Sequence, residues 1–258
     1  MTVGCIIQAR MGSSRLPGKV LMNVENEKSV LYYVINQLRY SKLIEKIIVA
    51  TTDLKEDDKI VECCNSLDVD YFRGDLENVL DRYYQCAKKY SISTIVRIPS
   101  DKPLIDPEIV DRVIEFFNSH EYDYITNFLP LTFPSGTEVE VFSFEAIQTA
   151  WKNAELPSEK EHVTSFLYNH KDRFKIFNVI NDENLSQYRW AIDRIEDLAL
   201  VREIVSKIKK RPILMKDVIE LLKKEPQLVD INKNVSREEG NIKSLKEDEN
   251  YLNKKNEL

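Results

Sequence analysis

This chain predicts a mostly parallel, doubly wound α/β sheet, and three observations lead there. Short apolar runs without alternation recur through the first half, as strands buried on both faces require. Segments with helical periodicity separate those runs. Turn and cap residues fall at the junctions, among them Ser29, Asn78 and Pro107.

Val3 to Ala9 reads as the first strand, Ser29 to Arg39 as a helix capped by Ser29, and Lys46 to Thr51 as the second strand. A helix over Glu56 to Leu67, a strand near Val69 to Phe72, a helix from Asn78 to Tyr90 and a strand over Thr94 to Pro99 repeat the unit. Pro107 opens a helix running to about Asn118, and the strand Tyr122 to Thr126 follows. After Asn127 the rhythm breaks. Thr137 to Phe144 alternates glutamates with apolar residues and reads as an inserted hairpin or flap. Ser158-Glu-Lys-Glu161 has the capping-box pattern before a helix carrying His162, Phe166 and Leu167, and Gln187 to Asp193 reads as a returning strand. Two amphipathic helices, Glu196 to Lys209 and Met215 to Lys223, close a domain over 1–232. The polar stretch 233–258 reads as a charged tail, mobile or draped on the surface, with Ile242, Leu245, Tyr251 and Leu252 as its few apolar anchors.

Composition narrows the function. With 43% apolar and 31% charged residues the chain is an ordinary globular protein, and its net charge of −6 offers no general attraction for nucleic acid. No apolar run is long enough for a signal peptide or a membrane span, so the cytoplasm is the expected location. Cys5, Cys63, Cys64 and Cys86 lack metal-site spacing and read as reduced thiols.

The segment Gln8-Ala-Arg-Met-Gly-Ser-Ser-Arg-Leu-Pro-Gly-Lys19 follows a buried strand, where α/β sheets present loops to ligands. Arg10, Arg15 and Lys19 can meet a polyphosphate, Ser13 and Ser14 can donate to its oxygens, and Gly12 and Gly18 admit it closely. A Walker loop is disfavoured, because five residues rather than four separate the glycines and Val20 stands where a magnesium-binding hydroxyl belongs. Asp101 follows another strand and projects a hard oxygen ligand at its end, beside Ser100.

The Gln8 to Lys19 segment resembles the N-terminal signature of the sugar cytidylyltransferases. Within them it is most similar to the SpsF-like branch of spore-coat polysaccharide biosynthesis, relatives of the acylneuraminate and 3-deoxy-manno-octulosonate enzymes. Segments that agree in order are Ile48-Val-Ala-Thr-Thr-Asp53, Phe72-Arg-Gly74, Val79-Leu-Asp-Arg-Tyr83, Asp101-Lys-Pro-Leu-Ile-Asp-Pro107, Val139-Glu-Val-Phe142, Ser158-Glu-Lys-Glu-His-Val163 and Arg189-Trp-Ala-Ile-Asp193. The resemblance implies a Rossmann-like nucleotidyltransferase fold of the GT-A-like kind. It also implies the reaction: a sugar hydroxyl attacks the α-phosphate of CTP, pyrophosphate leaves, and the product is a CMP- or CDP-activated sugar for a surface glycan. By the same resemblance Mg²⁺ is held by Asp101 and Asp193, and Arg10, Arg15, Lys19 and Asp101 carry the catalysis. Gln8, Ala9, Gly12, Ser13, Ser14, Arg73, Asp81 and Ser100 complete the nucleotide site. A homodimer is implied, with 132–144 as its surface. Two departures stand out: Ser100 precedes the first aspartate where the family usually has glycine, and Arg194 follows the second.

Glu138 and Glu140 alternate with valines, which puts both carboxylates on one face for an acceptor's hydroxyls or a second cation. His162, Arg189 and Trp190 could complete an acceptor pocket, and the sialic-acid-like relatives suggest an acidic keto-sugar for it. A solvated strand face, a helix-surface histidine and a core tryptophan explain these residues equally well. Three other functions remain open: a nucleotidyltransferase using GTP or UTP, a nucleotide-sugar glycosyltransferase, and a silent nucleotide-binding relative. The glycosyltransferase would carry an Asp-x-Asp motif, which Asp101-Lys-Pro103 does not supply.

Overall fold

The computed structural model describes residues 2–235 and 239–256. The chain runs β1 (Val3–Gln8), β2 (Asn23–Glu25), β3 (Lys28–Ser29), α1 (Val30–Leu38), β4 (Lys46–Thr52), α2 (Asp58–Ser66), β5 (Asp70–Gly74), α3 (Val79–Lys89) and β6 (Thr94–Pro99). It continues through α4 (Pro107–Ser119), β7 (Tyr124–Thr126), β8 (Glu140–Ser143), α5 (Phe144–Asn153), α6 (Pro157–Glu161), α7 (Ser165–Asn169) and β9 (Ile176–Asn178). Helices α8 (Ile195–Lys207), α9 (Met215–Lys224) and α10 (Glu239–Asn256) end it.

Seven strands form the main sheet in the order β5-β4-β1-β6-β8-β7-β9. β4, β5 and β6 run parallel to β1 or to one another, whereas β8 lies antiparallel to both β6 and β7. Alternate residues of β1 serve opposite cores: Cys5 and Ile7 pack with α1, α2 and α4, and Ile6 packs with α3, α5 and α7. Burial on both faces is why these strands show no polar alternation. A third apolar cluster joins α8 and α9 to Trp190, Tyr33 and Val24. All four cysteines are free, and three of them are buried. Among the described residues no helix is long and apolar enough to cross a membrane.

Several expectations need correction. The supposed flap is β8, a strand inside the main sheet: Val141 and Phe142 are fully buried, one in each core. Its alternating glutamate reads as solvent-facing only until Arg97, directly opposite on β6, is seen to pair with Glu140. Residues 187–193 form no strand. They run as irregular chain tied to Ser135 by a single bridge, with Trp190 N and Ser135 N donating across it at 2.8 and 3.0 Å. The helix expected after Ser158 is two short helices, the first capped two residues earlier at Leu156, where Glu159 accepts from the N–H groups of Glu155 and Leu156. In the tail, α10 lies against α6, with Ser244 bonded to His162 and Asp248 accepting from Ser158 N. The side chains of Ile242 and Leu245 lie outside the described residues.

Candidate active site

The loop after β1 is shaped by its own backbone. Met11 O accepts from both Ser13 N and Gly18 N at 2.8 Å, and Met11 N donates to Asp57 at 2.7 Å. Gly18 closes the turn with φ of 72°, a conformation that side chains disfavour. Lys19 then begins a short 3₁₀ helix and points back across the carboxyl ends of β1 and β6.

Lys19 Nζ lies 3.3 Å from Asp101 Oδ2, 3.1 Å from Asp193 Oδ1 and 2.6 Å from Ile192 O. Arg15 pairs with the same Asp193 oxygen, and Arg189 donates to the other at 2.8 Å. Burial opposes ionisation of Asp193, but Lys19, Arg189 and Arg15 outweigh it and hold the carboxyl well below the ordinary range. Asp193 is kept in place from behind by Asp197, which is fully buried and accepts from Asp193 N, Arg194 N, Arg189 and Asn232. Asp197 and Asn232 were not among the expected site residues. The spacing Arg194 to Asp197 is the backbone-capping interval of α8, a signal that finds Asp197 as a cap but does not tell that it anchors a site.

The structure brings Arg10, Arg15, Lys19, Asp101, Arg189 and Asp193 to one end of the sheet. Arg10 is half-buried, with only a long 3.8 Å pair to Glu161. Ser100 is buried and its N–H donates to Gln8 O at 3.1 Å, so the residue in place of the usual glycine stitches β6 to β1. Ala9 is buried, Ser13 and Gly12 lie along the loop, and Ser14 is exposed. A Cβ on Gly12 would stand 3.2 Å from the Glu56 carboxylate.

Other expected residues are occupied elsewhere. Arg73 donates to Thr52 O and Leu54 O at 2.9 Å and to Asp58 at 2.6 Å, clipping the β4 and β5 ends together. Asp81 accepts from Trp151 Nε1 at 2.7 Å and Gln85 at 3.0 Å, facing α5. Glu138 pairs with Lys102 at 3.0 Å. Burial works against its charge, yet Lys102 and the Gly136 N–H hold its pKa below the usual value. Gln8 Oε1 accepts from Arg97 Nε at 3.1 Å, Glu140 takes Arg97 Nη1 and the Thr164 hydroxyl, and these groups form a closed network under the site. Trp190 has no exposed surface and packs in the third core with α8 and α9.

Could the two aspartates serve a magnesium ion? A single cationic nitrogen already reaches both carboxylates, and Asp101 Oδ1 is buried with no hydrogen-bond partner. Among the described residues no group of three or more potential ligands forms a full protein cage. Magnesium asks for no such cage, since it keeps waters and takes substrate phosphates beside one or two carboxylates. The residues fit the ion.

Comparison with known proteins agrees with this geometry. The cytidylyltransferase family matches residues 4–248. An uncharacterised protein of Methanocaldococcus jannaschii is 40% identical over 89% of this chain and 94% of its own. The spore coat polysaccharide biosynthesis protein SpsF of Bacillus subtilis is 32% identical over 86% of this chain and 94% of its own. The solved structure of a cytidylyltransferase from Leptospira borgpetersenii superposes with a TM-score of 0.86 at 34% identity, covering 92% of this chain and 98% of that one. A cationic loop after the first strand, two aspartates bridged by its lysine, and likeness along nearly the whole length agree, and the chain belongs to the cytidylyltransferase family.

Proposed function

We propose that the protein transfers a cytidylyl group from CTP to a sugar hydroxyl, releasing pyrophosphate and activating the sugar for a surface polysaccharide. The observation that carries this reading is the pairing of Arg15 and Lys19 with Asp101 and Asp193 at the carboxyl edge of the sheet, with Arg10 on the same loop. Nucleotidyl transfer needs alignment of attacker and leaving group and neutralisation of phosphate charge, and it needs no covalent enzyme intermediate. Arg10, Arg15 and Lys19 supply the positive charge for the triphosphate. Lys19 and Arg15 each have a carboxylate partner at present, so the cluster is nearly neutral and ready to accept an anionic substrate together with a cation. Asp101 and Asp193 would hold Mg²⁺, which when bound stabilises the charge that develops on the phosphate oxygens. Asp197 and Arg189 keep Asp193 oriented.

For the acceptor, the same reading takes an acidic keto-sugar. SpsF, named for spore coat polysaccharide biosynthesis, supports a glycan destination. The reading also takes the protein as a homodimer. Its surface in this reading is 132–144, where Thr132, Glu138, Ser143 and Phe144 are half-buried in the single chain, and sedimentation velocity checks the state. Calorimetric titration with CTP and magnesium tests the nucleotide assignment: the wild type binds CTP, and Lys19→Ala abolishes the binding while the fold persists. Equal binding by the variant refutes the assigned cradle.

A further inference from the structure

Helix α3 opens with two charged residues that meet opposite fates. Asp81 is satisfied by Trp151 and Gln85 on the side facing α5. Arg82 turns inward: it is 2% exposed, and its Nε and Nη1 are buried with no hydrogen-bond partner among the described residues. A guanidinium is always charged and carries five N–H donors, and buried donors left unpaired are costly. Folded proteins keep few of them, and each asks for an explanation.

Its position supplies one. The Arg82 Cγ lies 3.4 Å from where a Cβ on Gly74 would stand, at the end of β5. The charges that act on it are those of Arg10, Asp57 and Asp75, which follow β1, β4 and β5. Neither carboxylate accepts from its Nε or Nη1 among the described residues. Asp57 accepts from Met11 N at 2.7 Å, from Thr52 N at 3.3 Å and from the Thr52 hydroxyl; Asp75 accepts from Glu77 N and Asn78 N at 2.8 and 2.7 Å. Burial presses the guanidinium pKa down; Tyr83 opposes it, the like charge of Arg10 adds to it, and Asp57 and Asp75 oppose it more weakly. The corner thus holds two buried donors that no acceptor meets among the described residues, and it adjoins the loop whose Arg15 and Lys19 face Asp101 and Asp193.

We propose that Arg82 donates its unpaired N–H groups to neutral oxygen acceptors of the nucleoside part of CTP, as a specificity-determining contact beside the loop that carries Arg10. This rests on the cytidylyltransferase reading. The acceptor is a pyrimidine carbonyl or a ribose hydroxyl, which share the chemistry and differ in the test.

Titration of the wild type, Arg82→Met and Arg82→Lys with CTP, 2′-deoxy-CTP and inorganic tripolyphosphate, each with magnesium, separates the cases. The expected result is a loss of CTP affinity of about tenfold or more in Arg82→Met, as for a charged hydrogen bond, with tripolyphosphate binding unchanged. The melting temperature of Arg82→Met stays level or rises, because an unpaired buried charge has become an apolar chain. Arg82→Lys, which keeps charge without the planar donors, is also weakened for CTP. If the ribose is the partner, the preference for CTP over 2′-deoxy-CTP disappears in Arg82→Met; if the base is, that preference persists. Unchanged CTP affinity overturns the proposal, as does a parallel loss of tripolyphosphate binding, which would make Arg82 a phosphate or purely structural residue. A wild type that binds tripolyphosphate and no CTP defeats the cytidylyltransferase reading itself, a result visible before any variant is made.

Discussion

The cluster of Arg15, Lys19, Asp101, Arg189 and Asp193 and the cluster of Gln8, Arg97, Glu140 and Thr164 both pair arginine with carboxylate, and both lie near the end of β6. They differ in closure. In the second, Arg97 faces Glu140 across paired strands at 2.8 Å, and among the described residues none of its buried polar atoms lacks a partner. In the first, the cations come from a loop, Arg15 keeps about a third of its side chain exposed, and Asp101 Oδ1 has no partner. A balanced pair inside a sheet holds strands in register. An open cluster that leaves a carboxylate oxygen unused has capacity for a ligand.

This contrast can be broken by substitution. Arg97→Met should have the largest effect, since removing one partner strands a buried charge at a cost of about 3–5 kcal/mol. Adding Glu140→Leu should recover most of it, as chemical denaturation would show. A fully additive double variant would mean that the pair is not coupled. Asp101→Asn should reverse the pattern, reducing turnover roughly a hundredfold or more with the melting temperature little changed. Between these classes stands Gly136, at φ of 110°, where a Cβ would come within 2.6 Å of Trp190 and 2.8 Å of Ala191 N. Gly136→Ala should cost at least about 1–3 kcal/mol and loosen the segment that carries Asp193, lowering stability and turnover together.

The smallest effect expected is a pH dependence at His162. Burial lowers its pKa and Arg97 acts in the same direction, while Glu161, Glu140 and Asp248 oppose them; its Nε2 lies 2.7 Å from the Ser244 hydroxyl of α10. A base whose folded pKa is depressed is neutral in the fold, and the unfolded chain takes up its proton first as pH falls. Its contribution to stability is therefore full above the ordinary value of about 6.5 and declines below it. Melting curves between pH 7.5 and pH 5.5 should show a steeper decline for the wild type than for His162→Gln. Parallel curves would mean that His162 plays no part in the acid sensitivity of the fold.

How far the sequence discloses this molecule depends on whether a residue's partner is near it in the chain. β1 to β6 with their helices are legible because burial on both faces leaves unbroken apolar runs, and the cradle is legible because three cations crowd one loop. Glu140 misleads because its partner Arg97 is 43 residues away, and an alternating glutamate without a visible partner reads as solvated. The segment 187–193 misleads because its apolar residues pack in the core without pairing as a strand. Arg82 is half legible: beside Asn78 and Asp81 at the start of a helix it could meet the nucleotide or merely belong to a charged helix start, and only the fold shows that it is buried.

Whether the open cluster transfers a cytidylyl group is decided by pyrophosphate release, measured with magnesium and each of CTP, UTP, GTP and ATP against a panel of acidic keto-sugars and sugar phosphates. Release with CTP and one acceptor, absent in Asp101→Asn, is the expected result. Release with another nucleotide in preference to CTP, or turnover undiminished in Asp101→Asn, would refute the proposed activity.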